Sequence, residues 1–450
     1  MIDKKWLKKQ AEKVRAVDYI DPALYAKYGV KRGLRNDDGT GVLVGLTTIG
    51  NVHGYVVSEG EKQAVPGELF YRGINVKDIV RADKRERRFG YEETAYLLLF
   101  GELPTEAQLA DWNQKLGSYR KLSDRFKDNA IMKHPPKDLM NALARAVLFA
   151  YAFDPDDNPD DLSLEKCLEQ SIDLVGSIPT IAAYSYQAKH HYHDGASLMI
   201  RMPDPKKSTA ENILMLTRED GKYTRLEAET LDLMLVLHAE HGGGNNSSFT
   251  THVVTSSHAD IYSSVAASVL SLKGARHGGA NIRVMRQMEE IMANVKDWSK
   301  QDNVLHYLEK IADKKAGDGS GLIYGLGHAV YTVSDPRAHL LRVKAETLAK
   351  EKGRTEEMGL YELIEQYGPS IIKSRHSRAA DVCANVDLYS GFVYDMLGIP
   401  SDLYTPLFAV ARCVSWCAHR MEELVNAGPI IRPAYKPIYH MRDYVALKDR

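Results

Sequence analysis

The alternation of apolar and polar residues changes character along the chain. Over residues 1–30, Trp6, Val14 and Leu24 stand among charges, which predicts an amphipathic helical segment. Residues 33–57 are rich in Gly, Thr and Val, as in Gly41-Val-Leu-Val-Gly-Leu-Thr-Thr-Ile-Gly50, and predict short strands and turns. A further short strand, Glu68–Arg72, is expected after a turn at Pro66-Gly67. Beyond residue 90 a helical period takes over. Pro104 suits the first turn of a helix over about 104–121, and Leu139, Leu143, Ala146, Val147 and Ala150 recur at helical spacing after Pro135-Pro136. Loops are expected at the acidic, Pro-broken stretch 154–161, near 202–205 and at 313–321. There is no internal repeat and no low-complexity tract. The reading is a mainly α fold with a small β element near the N-terminus.

Length and charge narrow this picture. A chain of 450 residues exceeds what one core usually supports, so two domains are the starting expectation. With 59 Lys plus Arg against 60 Asp plus Glu, a broad nucleic-acid or anionic-membrane surface is disfavoured. An anionic substrate would need a local cluster of cations. Cys167, Cys383, Cys413 and Cys417 form no C-x-x-C pair and read as reduced thiols. No apolar run approaches the roughly 18 residues of a membrane span. The N-terminus lacks the apolar core of a signal peptide, and its Asp and Glu without Ser argue against a transit peptide. A cytoplasmic protein is expected.

Three clusters carry candidate chemistry: His238-Ala-Glu-His-Gly-Gly-Gly-Asn-Asn-Ser-Ser248, Leu272-Lys-Gly-Ala-Arg-His-Gly-Gly-Ala-Asn281, and Tyr324-Gly-Leu-Gly-His-Ala-Val-Tyr331 followed by Asp335-Pro-Arg337. In each a His abuts glycines. Glycine lets backbone approach a ligand closely, and a neighbouring imidazole held in one tautomer can donate a hydrogen bond to a carbonyl oxygen. Singly, a Gly-rich stretch is more often a turn and a lone His a satisfied polar residue; spacing alone does not name a reaction. The glycines at 242–244 lack the Lys-Ser/Thr of a phosphate loop, and no strand–GxGxxG–helix unit occurs. His238 and His241 do not form the H-E-x-x-H zinc pattern. His190, His191 and His193 read as a solvated loop, and Arg375-His-Ser-Arg378 as a solvated basic run with a conceivable CoA phosphate contact.

Together these clusters resemble the citrate synthase family, whose members carry the same ordered motifs, then an Asn-Val-Asp-x-x-Ser-Gly stretch, here Ala384-Asn-Val-Asp-Leu-Tyr-Ser-Gly391. Phe408-Ala-Val-Ala-Arg412, Ile431-Arg432-Pro433, Gly67–Gly73 and Ala95–Gly101 match as well, so the resemblance covers roughly residues 30–435. Departures are Gly242 where some members have Glu, Ala275 for the usual Pro, and Cys383-Ala384 for an aromatic–Pro pair. None removes a group the reaction needs, although they bear on the pose of CoA and of the loop holding Asp387.

The resemblance implies condensation of acetyl-CoA with oxaloacetate and hydrolysis of citryl-CoA. It assigns Asp387 as the base that takes a methyl proton, His277 as the donor to the thioester oxygen, and His328 as the general acid at the ketone. His241, Asn245, Arg337, Arg412 and Arg432 would line the oxaloacetate site, since two carboxylates call for forked, permanently charged donors. Arg432 would reach across from the other subunit of a homodimer. Leu272, Lys273, Gly274, Ala275, Gly325, Leu326 and Gly327 would meet CoA, and Arg32 more loosely a phosphate. No metal or resident cofactor is required. The implied architecture is a large helical domain of 1–277 plus 391–450 and a small helical domain of 278–390, with the site in the cleft. The nearest alternative is 2-methylcitrate synthase, which takes propionyl-CoA; one methyl group is worth only about 1–3 kcal/mol. A non-catalytic protein that senses acyl-CoA or dicarboxylate, and a His-ligated metal hydrolase, are rivals from other classes.

Overall fold

The computed structural model describes residues 3–58, 61–375, 381–439 and 441–450. Two compact units divide it, Met1–Leu46 and Thr47–Arg450.

The first unit holds the helices Lys4–Val17 and Pro22–Lys27. Asp3 caps the first by accepting from Lys5 N and Trp6 N, and Asp21 with Pro22 starts the second. The helical expectation over 1–30 therefore holds for these spans. The strands expected over 33–49 do not form. A strand needs a ladder partner, and here there is one isolated bridge, Arg35 to Gly41, with Leu43 and Leu46 exposed. Arg32 lies in this unit, its guanidinium 4.2 Å from the centroid of the Tyr25 ring.

The second unit opens with an antiparallel sheet in the order β1 (Gly50–Ser58), β2 (Glu61–Tyr71), β3 (Ile74–Asn75). Pro66-Gly67 is no turn: it lies inside β2, where the register breaks between the pairs His53–Glu68 and Tyr55–Ala64. Proline cannot donate to a ladder, so it is tolerated where pairing lapses. Gly67 instead donates its N–H to Ser334, at 3.1 Å from both its carbonyl and its hydroxyl oxygen, which fastens the hairpin to the loop before Arg337. A side chain at Gly67 would drive into the Ser334 carbonyl and the Tyr331 ring.

The rest is helical, as expected. α1 (Leu139–Ala150) and α2 (Leu164–Asp194) pack together, and α2 is buried along most of its 31 residues. Its last turn carries His190, His191 and His193, so the loop expected there is helix. The three bond separately, to Asp194, the Ala196 carbonyl and the Pro135 carbonyl. α3 (Arg225–His238) starts with a reciprocal Thr224–Glu227 capping box, α4 (Asn246–Thr255) with Asn245 as cap, and α5 (Ile261–Lys273) with Asp260 as cap. α6 (Ala280–Asn294), α7 (Pro336–Lys352), α8 (Thr355–Arg375) and α9 (Asp387–Met396) follow, with α9 packed against both α6 and α7. The basic run ends α8 at Arg375, which pairs with Asp313 at 2.9 Å, while 376–378 lie outside the described residues.

α10 (Tyr404–Asn426) is the central post. Nearly every residue from Tyr404 to Arg420 is buried, against α2, α3, α4 and α5. A helix apolar on all sides belongs inside a large core, and its few polar residues, Arg412, Ser415, His419 and Arg420, must then be satisfied internally. All four cysteines are free thiols and buried. Among the described residues no helix is long and apolar enough to cross a membrane.

Candidate active site

Three helix starts and two glycine turns bring the chemical residues together. Asn245 caps α4, Asp335 with Pro336 starts α7 and sets Arg337 in its first turn, and Asp387 is the first residue of α9. Chain entering a helix has unpaired N–H groups and fixed geometry, so side chains there are held firmly.

His277 follows α5 through a tight turn in which its own N–H reaches the Gly274 carbonyl at 2.8 Å. Gly278 is required here, because a side chain would meet the Leu272 carbonyl and Thr405. The His277 Nε2 lies 3.2 Å from the Ser247 hydroxyl, which also accepts from Trp416 Nε1 at 3.2 Å and lies 2.9 Å from Asn245 Oδ1. The hydroxyl has one hydrogen and two acceptors to choose between. When it donates to Nε2, the imidazole proton sits on Nδ1. Burial, with help from Arg412, pushes the His277 pKa down to about 4, so the ring is neutral at pH 7.

His328 is held by backbone. Its Nδ1 accepts the N–H groups of Val330 (3.0 Å) and Tyr331 (3.1 Å), and its ring stacks on Tyr331 at 4.7 Å. The proton of the neutral ring therefore sits on Nε2. The turn before it is laced to the start of α9. Leu326 bridges Ala384, Asn385 N donates to the Gly325 carbonyl at 2.9 Å, and Asn385 Nδ2 to the Gly327 carbonyl at 2.8 Å. Gly325 has φ of +84° and lies against Leu388, leaving no room for a Cβ. One rigid piece thus carries both His328 and Asp387. Asp387 keeps some accessible surface, yet its carboxyl is crowded by protein. Burial raises its pKa to about 6, against the pull of Arg337 and with a small push from Asp335.

The two buried arginines differ. Arg337 is clamped bidentately by Asp335, at 3.1 and 2.8 Å. Arg412 spends only its Nε, on the His238 carbonyl at 2.7 Å; Nη1 and Nη2 are buried without a hydrogen-bond partner. Burial drags its pKa down to about 10 despite the opposing charge of Glu240. His241 feels the charge of both. Its ring is 5.1 Å from that of His328, its buried Nε2 is unpartnered, and its pKa is held well below normal by burial and by Arg337, His328, Arg412 and His277. Both ring nitrogens of His238 are likewise buried and unpartnered. A buried guanidinium edge with no partner costs free energy unless an anion meets it. The arrangement offers an anion-binding floor, one imidazole whose donor is fixed as Nε2–H (His328), a neutral imidazole whose donor nitrogen depends on Ser247 (His277), and a carboxylate placed to take a proton.

The chain matches the model of the citrate synthase C-terminal domain over residues 38–434. The chain belongs to the citrate synthase family. It is 34% identical to the citrate synthase of Synechocystis sp. over 395 residues, covering 85% of this chain and 88% of that one. To the citrate synthase of Haloferax volcanii it is 33% identical over 393 residues, 85% of this chain and 93% of that one. Among solved structures it resembles the citrate synthase of Pyrobaculum aerophilum, with a TM-score of 0.75, 30% identity and 91% and 94% of the two chains covered. The Thermoplasma acidophilum citrate synthase, solved as a ternary complex with carboxymethyl coenzyme A and oxaloacetate, gives 0.75, 26% identity, and 94% and 99%. The mainly helical fold with a small N-terminal sheet is that of citrate synthase.

Of the residues singled out in sequence, the structure groups His241, His277, His328, Arg337, Asp387 and Arg412, with Asn245 behind His277 through Ser247. Leu272–Ala275 lie at the end of α5 just before His277, with Lys273 3.5 Å from Asp138, and Gly325–Gly327 immediately precede His328. Arg432 is exposed in the extended C-terminal segment, with no hydrogen-bond or ion-pair partner among the described residues. Sequence reasoning passed over Ser247, Trp416 and Glu240. Ser247 lies inside a quoted motif and could have been weighed as a hydroxyl two residues after the Asn cap. Trp416 is one turn beyond Arg412 on α10, a spacing that puts the two on one helix face.

Proposed function

We propose that this citrate synthase family member takes acetyl-CoA and oxaloacetate as substrates, acting in the cytoplasm as a homodimer. The observation that carries the reading is the buried, unpartnered edge of Arg412 near the neutral His277, together with the Asp387 carboxyl raised to about 6 near Arg337. Arg412 meets one oxaloacetate carboxylate bidentately. Arg337, already neutralised by Asp335, meets the other, and Arg432 of a second copy completes the set. His241 and Asn245 line the same site. Asp387 takes a proton from the thioester methyl group. His277, neutral, donates Nδ1–H to the thioester oxygen, so the enol forms without a second cation beside Asp387. The methylene carbon attacks the ketone carbon, and the ketone oxygen takes the proton from His328 Nε2. The two backbone N–H groups on Nδ1 favour loss of that proton, because they stabilise the electron-rich ring left behind. Water then attacks the citryl thioester, releasing citrate and CoA.

CoA would lie along Leu272–Ala275 and Gly325–Gly327. Residues 278–390 act as the small domain and close on the large one, so that oxaloacetate binds first and promotes closure. Equal acetyl-CoA affinity with and without oxaloacetate overturns that order. The deciding assay is thiol release from acetyl-CoA and from propionyl-CoA, each with oxaloacetate. Oxaloacetate-dependent turnover of acetyl-CoA establishes the reading. Preference for propionyl-CoA makes the chain a 2-methylcitrate synthase with the same residue roles, and no turnover with either leaves a sensor.

A further inference from the structure

Behind the 241–245 loop, α4 and α10 face each other with a set of side chains that the condensation does not use. His252 Nε2 lies 3.1 Å from His419 Nδ1. Glu422 Oε2 is buried, has no hydrogen-bond partner and stands 3.8 Å from the same His419 Nδ1. These three atoms lie within 4.8 Å of one another. The far side of each ligand atom is already tied down. His252 Nδ1 meets Glu423 Oε2 at 2.7 Å, and His419 Nε2 meets Glu240 Oε2 at 3.2 Å. Glu422 Oε1 accepts the N–H (2.6 Å) and hydroxyl (2.9 Å) of Thr48.

Hydrogen-bond accounting makes the arrangement unusual. If each imidazole donates its outer N–H to its carboxylate, two nitrogen lone pairs point at each other. A cation, either a proton or a metal ion, must lie between them. Metal-binding histidines typically show this pattern, with the second ring nitrogen donated to a carboxylate that fixes the tautomer and raises ligand basicity. Zinc–nitrogen bonds of about 2.0–2.1 Å at a tetrahedral angle set ligand atoms roughly 3.3 Å apart, close to the observed 3.1 Å. The carboxylates Glu240, Glu422 and Glu423 supply the charge for a divalent ion. His252 and Glu423 keep 13% and 20% of their side-chain surface accessible, and a surface cavity of about 430 Å³ lined by Thr255, Ser256 and Glu423 adjoins them. Glu423, the outer partner of His252, is the residue that this cavity shares with the cluster.

We propose that His252, His419 and Glu422 form a binding site for one borderline divalent cation of the zinc class, with water as fourth ligand. The site ties α4, α10 and the Thr47–Thr48 entry to β1 together. Through Glu240, whose Oε1 accepts the Gly242 N–H, it braces the loop that carries His241. The site is separate from the substrate residues, and the proposal stands whichever acyl-CoA the protein uses.

The test is Co(II) titration of the full-length, metal-stripped protein, read by the visible absorption of tetrahedral Co(II), with Zn(II) competition. Wild type is expected to take up one Co(II) per chain, displaced by Zn(II), and 100-fold excess of Zn(II) over its Kd is expected to raise Tm on the order of 3 °C. Glu423→Gln, which alters only the outer partner of His252, is expected to weaken binding about 10–100-fold. His252→Ala and Glu422→Gln are expected to abolish the tetrahedral spectrum. Because His252 is partly exposed and Glu422→Gln keeps the Thr48 contacts, at least one of these variants should fold, checked by circular dichroism. His191→Ala, in the exposed His tract, should bind as wild type does. Three results each overturn the proposal: no uptake by wild type, full binding retained in both ligand variants, or loss of binding in His191→Ala.

Discussion

The two loops that present imidazoles to the cleft hold their rings by different means. In the 325–331 loop the backbone does it: two consecutive N–H groups converge on His328 Nδ1. In the 272–278 turn a neighbouring side chain does it, through a serine hydroxyl whose single hydrogen serves either His277 or Asn245. The first device is proof against side-chain substitution and commits the ring to one tautomer. The second leaves the tautomer of His277 to a shared proton, and so leaves it adjustable from outside the site. On the proposed mechanism the difference suits the roles. The ketone donor must always be Nε2–H, whereas the thioester donor has to engage after CoA arrives.

The largest expected effect falls on the group both rings serve. Asp387→Asn keeps the shape and removes the base, and is expected to lower kcat by about 10³-fold or more in a thiol-release assay; near-normal turnover would break the whole scheme. Next is the anion floor. Arg412→Lys replaces a fork with a point donor and is expected to raise the KM for oxaloacetate about 10²-fold with a smaller change in kcat. A uniform fall in kcat alone would mean that Arg412 positions His238 instead. Ser247→Ala addresses the contrast directly. It frees the His277 tautomer and is expected to cost about tenfold in kcat, whereas Tyr331→Phe, which leaves the backbone donors to His328 in place, is expected to change kcat less than twofold. Equal effects would erase the distinction between the two loops.

The smallest effect is in pH. With the Asp387 pKa raised to about 6, kcat/KM is expected to be half its plateau at pH 6 and to fall roughly tenfold per unit below it. His277, already neutral above about pH 4, adds no inflection in that range. The same shift has a stability consequence. The folded state holds this proton more tightly than the unfolded chain, so ionisation destabilises the fold as pH rises from about 4 through 6. Asp387→Asn is therefore expected to be more stable than wild type by on the order of 3 kcal/mol at pH 8 and equal to it near pH 4, as calorimetry would show.

What the sequence made legible was local. The helical repeat at Leu139–Ala150 depends on residues within a few positions of one another and appears in the fold; the helix expected near Pro104 forms over Glu106–Tyr119, with Thr105 as its cap and Pro104 just outside it. The glycine-bounded histidines were legible as motifs. The pairings that decide their protonation were not. Trp416 and Ser247 are 169 residues apart, and Glu240 and His419 are 179 apart; periodicity carries no information over such spans. The failures are local patterns overridden by context. Pro66-Gly67 reads as a turn but sits in a strand because the ladder lapses there. The polar His190–His193 tract reads as loop but completes α2, whose long buried body carries the helix on to Gly195, a left-handed cap at φ +76°. Residues 42–46 have strand composition and, among the described residues, no partner strand.

The lacing of Gly325–Gly327 to Cys383–Asn385 has a consequence for how this sequence can be altered. Two segments almost sixty positions apart behave as one cassette: a residue inserted in either would slide the Leu326–Ala384 bridge and misalign His328 with Asp387, whatever happened elsewhere. Chimeras that exchange 322–331 with a relative should therefore lose activity and regain it only when 382–388 is taken from the same donor. By contrast, exchanges within the Ala275–Gly278 turn are expected to be tolerated on their own, since the side chains that hydrogen-bond that turn among the described residues are Ser247 and Thr405.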